Sequence, residues 1–214
     1  VSAANTFAQL LDDKELSDEE RSEYTATLQT SLEKLTFLTN SLIKMSRLES
    51  GIISLKPETN SLNDILLQAV KTVYAKAKEK NITMTFDCEQ NFKALLDFNW
   101  TAEAITNVLD NAVKYTPSGG VVELKIAEYP SYLRLDISDN GIGIPEEEQA
   151  KIFGRFYRGK QSAGIDGVGI GLYLTRDIVS KQCGYIKVKS DKSGSTFSIF
   201  FRKSDALDEE PMDW

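Results

Sequence analysis

The sequence predicts an α+β chain in which a helical segment precedes a domain of mixed helices and strands, and three observations predict it. Apolar residues from Tyr24 to Met45 step by threes and fours, the period of an amphipathic helix. Val121 to Ala127 and Tyr132 to Ser138 alternate apolar and polar residues across a short break, the pattern of an antiparallel hairpin. Further helical stripes and alternating runs, on both sides of that hairpin, mix the two classes along the chain.

At 214 residues, 41% hydrophobic and 27% charged, the composition is that of a globular chain able to bury a core. A net charge of -7 argues against a broad nucleic-acid surface, so no nucleic-acid partner is expected and any polyanion site must be focal. Cys88 and Cys183 lack a paired spacing and read as two reduced thiols. There is no histidine, which removes histidine chemistry from the chain itself. No apolar run approaches the roughly 20 residues that cross a bilayer, and the chain reads as a soluble piece.

Val1 to Leu11 reads as the tail of one helix, with Asp12 to Asp18 a charged break. Ser17 with Glu20 forms a capping box for the next helix, whose stripe runs through Leu28, Leu32, Leu35, Leu38 and Leu42. Its rhythm suits a helical hairpin that pairs with a second copy into a four-helix bundle; the other reading is one helix lying on its own core. Gly51 ends it, Pro57 marks a linker, and the boundary falls near Leu55 to Asn60. The expected domains are therefore 1–56 and 57–204, followed by an acidic tail, 205–214. Ser61 and Asp64 open a helix with a buried face of Leu62, Ile65, Leu66, Ala69, Val70, Val73, Tyr74 and Ala77. Ile82 to Cys88 alternates as a half-buried strand and Phe92 to Leu96 makes another. The helix from Asn99 to Tyr115 buries Ile105, Val108, Leu109 and Ala112, while Glu103, Asn107, Asn111 and Lys114 share a polar face. Two strands, Tyr185 to Lys189 and Thr196 to Phe201, close the domain.

Four stretches carry chemistry. Asn107, Asn111, Lys114 and Tyr115 lie along the polar helix. Asp139-Asn140-Gly141-Ile142-Gly143-Ile144-Pro145 follows a strand and packs a carboxylate, two glycines and a proline into one turn, although Asn-Gly is equally a hairpin signal. Phe153 to Asp166 combines glycines with Arg155, Arg158 and Lys160 and reads as a mobile basic loop. Gly167, Gly169 and Gly171 then precede Leu172 and a helix whose start exposes backbone amides suited to an anion. Residues 154–161 nearly match a P-loop, but Gln161 stands where a magnesium-binding hydroxyl is needed. The glycines at 167–171 lack both the spacing and the preceding strand of a dinucleotide fingerprint.

In this order the four stretches resemble the N, first glycine, F and second glycine boxes of a sensor histidine kinase, and the resemblance covers nearly everything from Ser17 to Phe201. It implies the ATP-binding two-layer sandwich that this family shares with type II topoisomerases and a heat-shock chaperone, a mixed, largely antiparallel sheet under helices on one face. It also implies that ATP and Mg²⁺ are the cofactors. Asn111 would hold the metal, Asn107 and Lys114 would lie by the phosphates, and Tyr115 would border the nucleoside. Asp139 would accept from the adenine amino group, with Gly141, Gly143 and Ile144 beside it. Phe156, Arg158, Gly167, Gly169, Gly171 and Leu172 would belong to the lid and its base. The implied partners are a second copy, through the N-terminal helices, and the receiver domain of a response regulator. The implied location is a cytoplasmic domain, joined to the membrane only through upstream segments.

The residue chemistry agrees with these roles. An amide oxygen suits a hard ion, and a fixed carboxylate selects an exocyclic amine over a carbonyl. An ATPase of the same fold commonly places a glutamate one turn before its magnesium asparagine; here that residue is Asn107, which cannot act as a general base, and Glu103 lies a further turn away. An ATP-dependent binding module remains the other alternative, separable by transfer of label from ATP to a partner. The family's acceptor histidine, on the first bundle helix, is absent, and aligning Gln9 to Leu11 with the end of that helix puts it just upstream of Val1. A truncated chain is thus expected to bind ATP without being its own substrate.

Overall fold

The computed structural model describes residues 17–87, 90–160 and 167–203. The expected first helix, Cys88, the far part of the basic loop and the acidic tail lie outside these residues. The chain divides into two compact units, Val1–Ser54 and Leu55–Trp214.

In the first unit, helix α1 spans Asp18–Glu49. Its start is the expected capping box: the Ser17 hydroxyl accepts the Glu20 N–H at 3.3 Å, and the Glu20 carboxylate accepts the Ser17 N–H at 3.0 Å. The Ser17 hydroxyl, which donates to the Glu20 carboxylate at 2.7 Å, and the Ser17 N–H together hold that carboxyl below its ordinary range. Tyr24, Leu28, Leu35, Leu38 and Leu42 are half-buried, whereas Leu32, Phe37 and Ile43 are exposed. Leu32 therefore falls outside the protected stripe expected for it.

The second unit runs β1 (Glu58–Ser61), α2 (Leu62–Glu79), β2 (Thr83–Asp87), β3 (Lys93–Leu96), α3 (Phe98–Tyr115), β4 (Val121–Glu128) and β5 (Tyr132–Asp139). It continues with a short α4 (Glu146–Gln149), a 3₁₀ turn (Lys151–Phe153), α5 (Gly171–Lys181), β6 (Tyr185–Asp191) and β7 (Gly194–Arg202). Five strands form one sheet in the order β2-β4-β5-β7-β6, parallel at β2–β4 and antiparallel elsewhere. The expected β4–β5 hairpin is present, with Leu124 opposite Ile137. A two-stranded antiparallel ribbon, β1–β3, is a second sheet, bridged from Ala94 to Lys203 just after β7; β1 lies at the segment expected to be linker.

The core forms because alternate residues of the central strands, Leu124, Leu133, Leu135, Ile137, Phe197 and Ile199, turn the same way and are buried. Helix α3 buries Ala104, Ile105, Val108, Leu109 and Ala112 and packs between α2 and α5 and against β5. Two polar ties fix its position. The Thr175 hydroxyl of α5 donates to the Ala104 carbonyl at 3.1 Å, and the buried Gln182 side chain accepts the Asp97 N–H at 2.6 Å beside the α3 N-terminus. Asp97 itself caps α3, accepting from the Trp100 N–H at 3.1 Å.

Two expected core residues are exposed. Tyr74 is 59% exposed because it lies outside the stripe that Leu66, Ala69, Val73 and Ala77 make on α2. Phe86 is 47% exposed near the end of β2, an edge strand with a neighbour on one side only. Because Leu135 is fully buried on the central strand, Leu135→Ala is expected to cost about 2–5 kcal/mol in urea unfolding; a loss below about 1 kcal/mol would contradict this core.

Candidate functional site: the cleft between α3, the β5 turn and α5

The turn after β5 is held from three sides. Asp139 Oδ1 accepts the Gly141 N–H at 2.9 Å, which folds the turn back on its own carboxylate. The Asn140 side chain accepts the Val121 N–H at 2.8 Å and ties the turn to the start of β4. Ile144 donates its N–H to the Ser190 hydroxyl at 2.7 Å, and the Gln149 amide donates to the carbonyls of Ile144 and Ser190 at 3.0 and 2.8 Å. The Asn-Gly pair thus closes no hairpin, since the strands beside β5 are β4 and β7 and the chain leaves the sheet after Asp139. Gly143 has φ +71°, and a side chain there would run into the Asp191 carbonyl, so both backbone and space require glycine.

Three close approaches join the four stretches. A Cβ at Gly141 would lie 2.6 Å from the Tyr115 carbonyl oxygen, so the first glycine stretch sits directly on the end of α3. A Cβ at Gly171 would lie 3.5 Å from both Cγ and Oδ1 of Asn107, which brings the start of α5 onto the polar face of α3. Gly169, at φ +76°, packs on the Phe156–Tyr157 backbone, with Tyr157 O 2.5 Å from where a Cβ would stand. Asn107, Tyr115, Gly141, Gly169 and Gly171 therefore share one neighbourhood.

The electrostatics of this cleft are mixed. Burial pushes the Asp139 carboxyl above its ordinary range, while the backbone N–H groups of Gly141 and Ser195 work against that rise. Asn111 and Tyr115 are half-buried on α3, and Asn111 lies one turn beyond Asn107 on the same face. The Asn107 Nδ2 is buried without a hydrogen-bond acceptor. The N-terminus of α5 beside it carries no side-chain cap. A buried amide donor and uncapped helix amides together form a place that fits an anion.

Other expected residues are placed differently. Lys114 is paired with Asp110 at 2.5 Å, and Lys76 of α2 reaches the other oxygen of that carboxylate at 2.7 Å. Burial works to raise the Asp110 carboxyl, but the two ammonium groups hold it below its ordinary range. Phe153 is buried and meets Phe197 edge to face at 6.5 Å, whereas Phe156 is 54% exposed and does not dock with it. Phe156 adopts a left-handed backbone, φ +58°, uncommon for a bulky residue. Arg155 hydrogen-bonds Tyr173 of α5 at 2.8 Å and stacks over its ring. Arg158 and Gly167 are exposed, while Ile144 and Leu172 are half-buried. The buried Glu148 carboxylate accepts the Lys160 N–H at 3.3 Å. Glu148, Gln149 and Ser190 all escape sequence reasoning, since nothing in a polar side chain on a short helix or edge strand marks its partner 12 to 46 residues away. Among the described residues no three His, Cys, Asp or Glu side chains form a metal cluster, and no helix is long and apolar enough to cross a membrane.

Residues 97–205 match the family described as Histidine kinase-, DNA gyrase B-, and HSP90-like ATPase. The chain belongs to this family. Within it, the sensor histidine kinase Hik2 of Synechocystis sp. is 38% identical over 168 residues, covering 69% of this chain and 38% of its own length. A full-length ShkA structure in complex with AMPPNP matches 94% of the chain and 43% of that protein at 25% identity and a TM-score of 0.73. A structure of the histidine kinase ThkA in complex with the response regulator protein TrrA shares the fold, with a TM-score of 0.79 at 18% identity, covering 96% of this chain and 58% of that one. The chain spans 26–38% of the length of the first three curated relatives it matches. Fold and relatives make this the ATPase domain of the histidine kinase type, from two-component signal transduction.

Because burial raises the Asp139 carboxyl, the folded chain holds that proton more tightly than the unfolded chain. Its contribution to stability is complete below the unfolded value of 3.8 and is lost as pH rises through the folded pKa. The unfolding free energy of the parent minus that of Asp139→Asn should therefore fall as pH is raised from 3.8, measured by urea unfolding at a series of pH values.

Proposed function

We propose that the second unit binds Mg-ATP in this cleft and passes the γ-phosphate to a histidine outside the given sequence, for relay to a response regulator. The observation that carries the reading is the buried, acceptorless Nδ2 of Asn107, a side chain that packs beside the uncapped start of α5; a phosphate would satisfy both donor sets.

On this reading Asn111 supplies an amide oxygen to Mg²⁺, a ligand type suited to a hard cation. Bound Mg²⁺ would neutralise charge on the phosphates. Asn107 and the first amides of α5 hold phosphate oxygens, and Lys114 adds positive charge at the same end of α3. Asp139 accepts a hydrogen bond from the adenine amino group; held by the Gly141 N–H, its carboxylate is already oriented. Tyr115, Ile144 and Leu172 give the nucleoside apolar walls. Gly143, Gly167, Phe156 and Arg158 belong to the turn and the lid base. Asn107 stands where a hydrolase needs a general base, and an amide takes no proton, so transfer to an outside acceptor is favoured over hydrolysis. The ShkA complex with AMPPNP, a nucleotide analogue, and the ThkA complex with a response regulator support this reading.

The domain assignment that goes with it is a dimerisation segment over 1–56, the ATP-binding domain over 57–204 and a tail beyond. The stripe of Leu28, Leu35 and Leu42 on α1, only half-buried, is the face that would pair with a second copy. A place on the cytoplasmic side, with any membrane anchor upstream, follows from the same reading.

Calorimetry tests the site. Asn111→Ala should weaken ATP binding about tenfold or more with magnesium present and much less without it, and Asp139→Ala should erase the preference for adenine over guanine nucleotides. Unchanged affinity and base preference in both variants would overturn the assignment.

A further inference from the structure

We infer that Lys80, at the end of α2, is a positioning residue of the nucleotide site: its ammonium group fixes the last turn of α3, and with it Tyr115 and the Asp139 turn. The inference rests on the ATP-site reading above.

A helix leaves its last carbonyls without intrahelical partners, and each must find a donor elsewhere when it is withdrawn from water. At the end of α3 a single side chain supplies most of them. Lys80 Nζ donates to the carbonyls of Val113, Lys114 and Thr116 at 2.7, 3.0 and 2.6 Å, so its three protons meet three acceptors. The carbonyl of Ala112 takes the Thr116 N–H at 3.0 Å, and that of Tyr115 takes the Ile142 N–H at 3.4 Å. Every carbonyl from Ala112 to Thr116 is thus satisfied, three of them by one half-buried cation at the negative end of the helix.

Lys80 is itself fixed at both ends of its backbone. Its N–H donates to the Lys76 carbonyl at 3.2 Å, and its carbonyl accepts the Gly119 N–H at 3.0 Å. One turn earlier on α2, Lys76 grips Asp110, which in turn holds Lys114. The consequence reaches the cleft in two short steps. Tyr115 leans its carbonyl on Gly141, and Gly141 donates its N–H to Asp139. If the last turn of α3 loosens, the Tyr115 carbonyl withdraws from Gly141 and Ile142, and the carboxylate that would meet the base loses its fixed orientation.

Lys80→Met in the 214-residue chain removes the charge while keeping the length of the stem. Calorimetry should give about a tenfold weaker affinity for ATP, with the preference for adenine over guanine nucleotides reduced. Amide exchange in the same variant should accelerate from Thr116 to Gly120 and from Asn140 to Ile142. Lys80→Arg keeps the charge, but its planar fork cannot converge on three carbonyls, so it should recover only part of the affinity. Val73→Ala, in the core face of the same helix, is the control: it should lower stability yet leave the affinity within about twofold of the parent. Parent-like affinity and base preference in Lys80→Met would overturn the inference, as would an equal loss in Val73→Ala. If Lys80→Met does not fold, the comparison of Lys80→Arg with Val73→Ala decides in the same way. A parent chain that binds no ATP would instead remove the ATP-site reading on which the inference rests.

Discussion

The close approach of Gly143 to the Asp191 carbonyl sets the path of the chain after β5, and the rest of the cleft depends on that path. A residue with a Cβ would push the turn off the β6–β7 hairpin. The Ser190 hydroxyl would then lose the Ile144 N–H, and Gln149 would lose the carbonyls it bridges. Asp139 would still end the strand, but the Gly141 N–H that orients its carboxylate would move with the turn. The site is therefore a consequence of sheet order. Because β7 lies beside β5, and β6 beside β7, their connecting turn stands next to the end of β5 and forms a backstop for the Asp139 loop.

A second constraint acts on α3, which lies in the middle of the helical layer and carries the polar face. Thr175 and Gln182 tie it to the α5 side, Lys76 ties Asp110 to α2, and the three carbonyls at its end go to Lys80. A helix held at both ends and on both flanks can present Asn107 and Asn111 at fixed positions without bonds from their own side chains. That leaves the Asn107 amide donor buried and unspent, a cost of about 1–3 kcal/mol in a resting domain that a phosphate oxygen would remove.

Much of this was legible in the sequence, for identifiable reasons. The capping box at Ser17, the helical stripe of α3 and the β4–β5 hairpin are local patterns, and each appears where periodicity put it. The cleft residues Asn107, Gly141, Gly169 and Gly171 were legible as four ordered stretches, although only the fold brings them together. What the sequence did not disclose is long-range pairing. Lys80 reads as an ordinary charged residue at a helix end, and Ser190 as one polar position on an edge strand. Lys114, which the resemblance puts by the phosphates, also pairs with Asp110 one helical turn before it. The positive φ of Phe156 is likewise a backbone feature that no residue pattern announces.

The central claim is that one nucleotide would touch all four stretches at once. Amide chemical-shift mapping with a nonhydrolysable ATP analogue and Mg²⁺ tests it most directly, because it reports contact along the backbone without altering any side chain. The account predicts that the largest shifts fall on Asn107 to Tyr115, on Asp139 to Ile144 and on Gly167 to Leu172, with smaller shifts at Phe156 to Arg158 and none beyond noise on the β1–β3 ribbon. Shifts confined to one of these stretches, or centred on the outer face of the sheet, would contradict it.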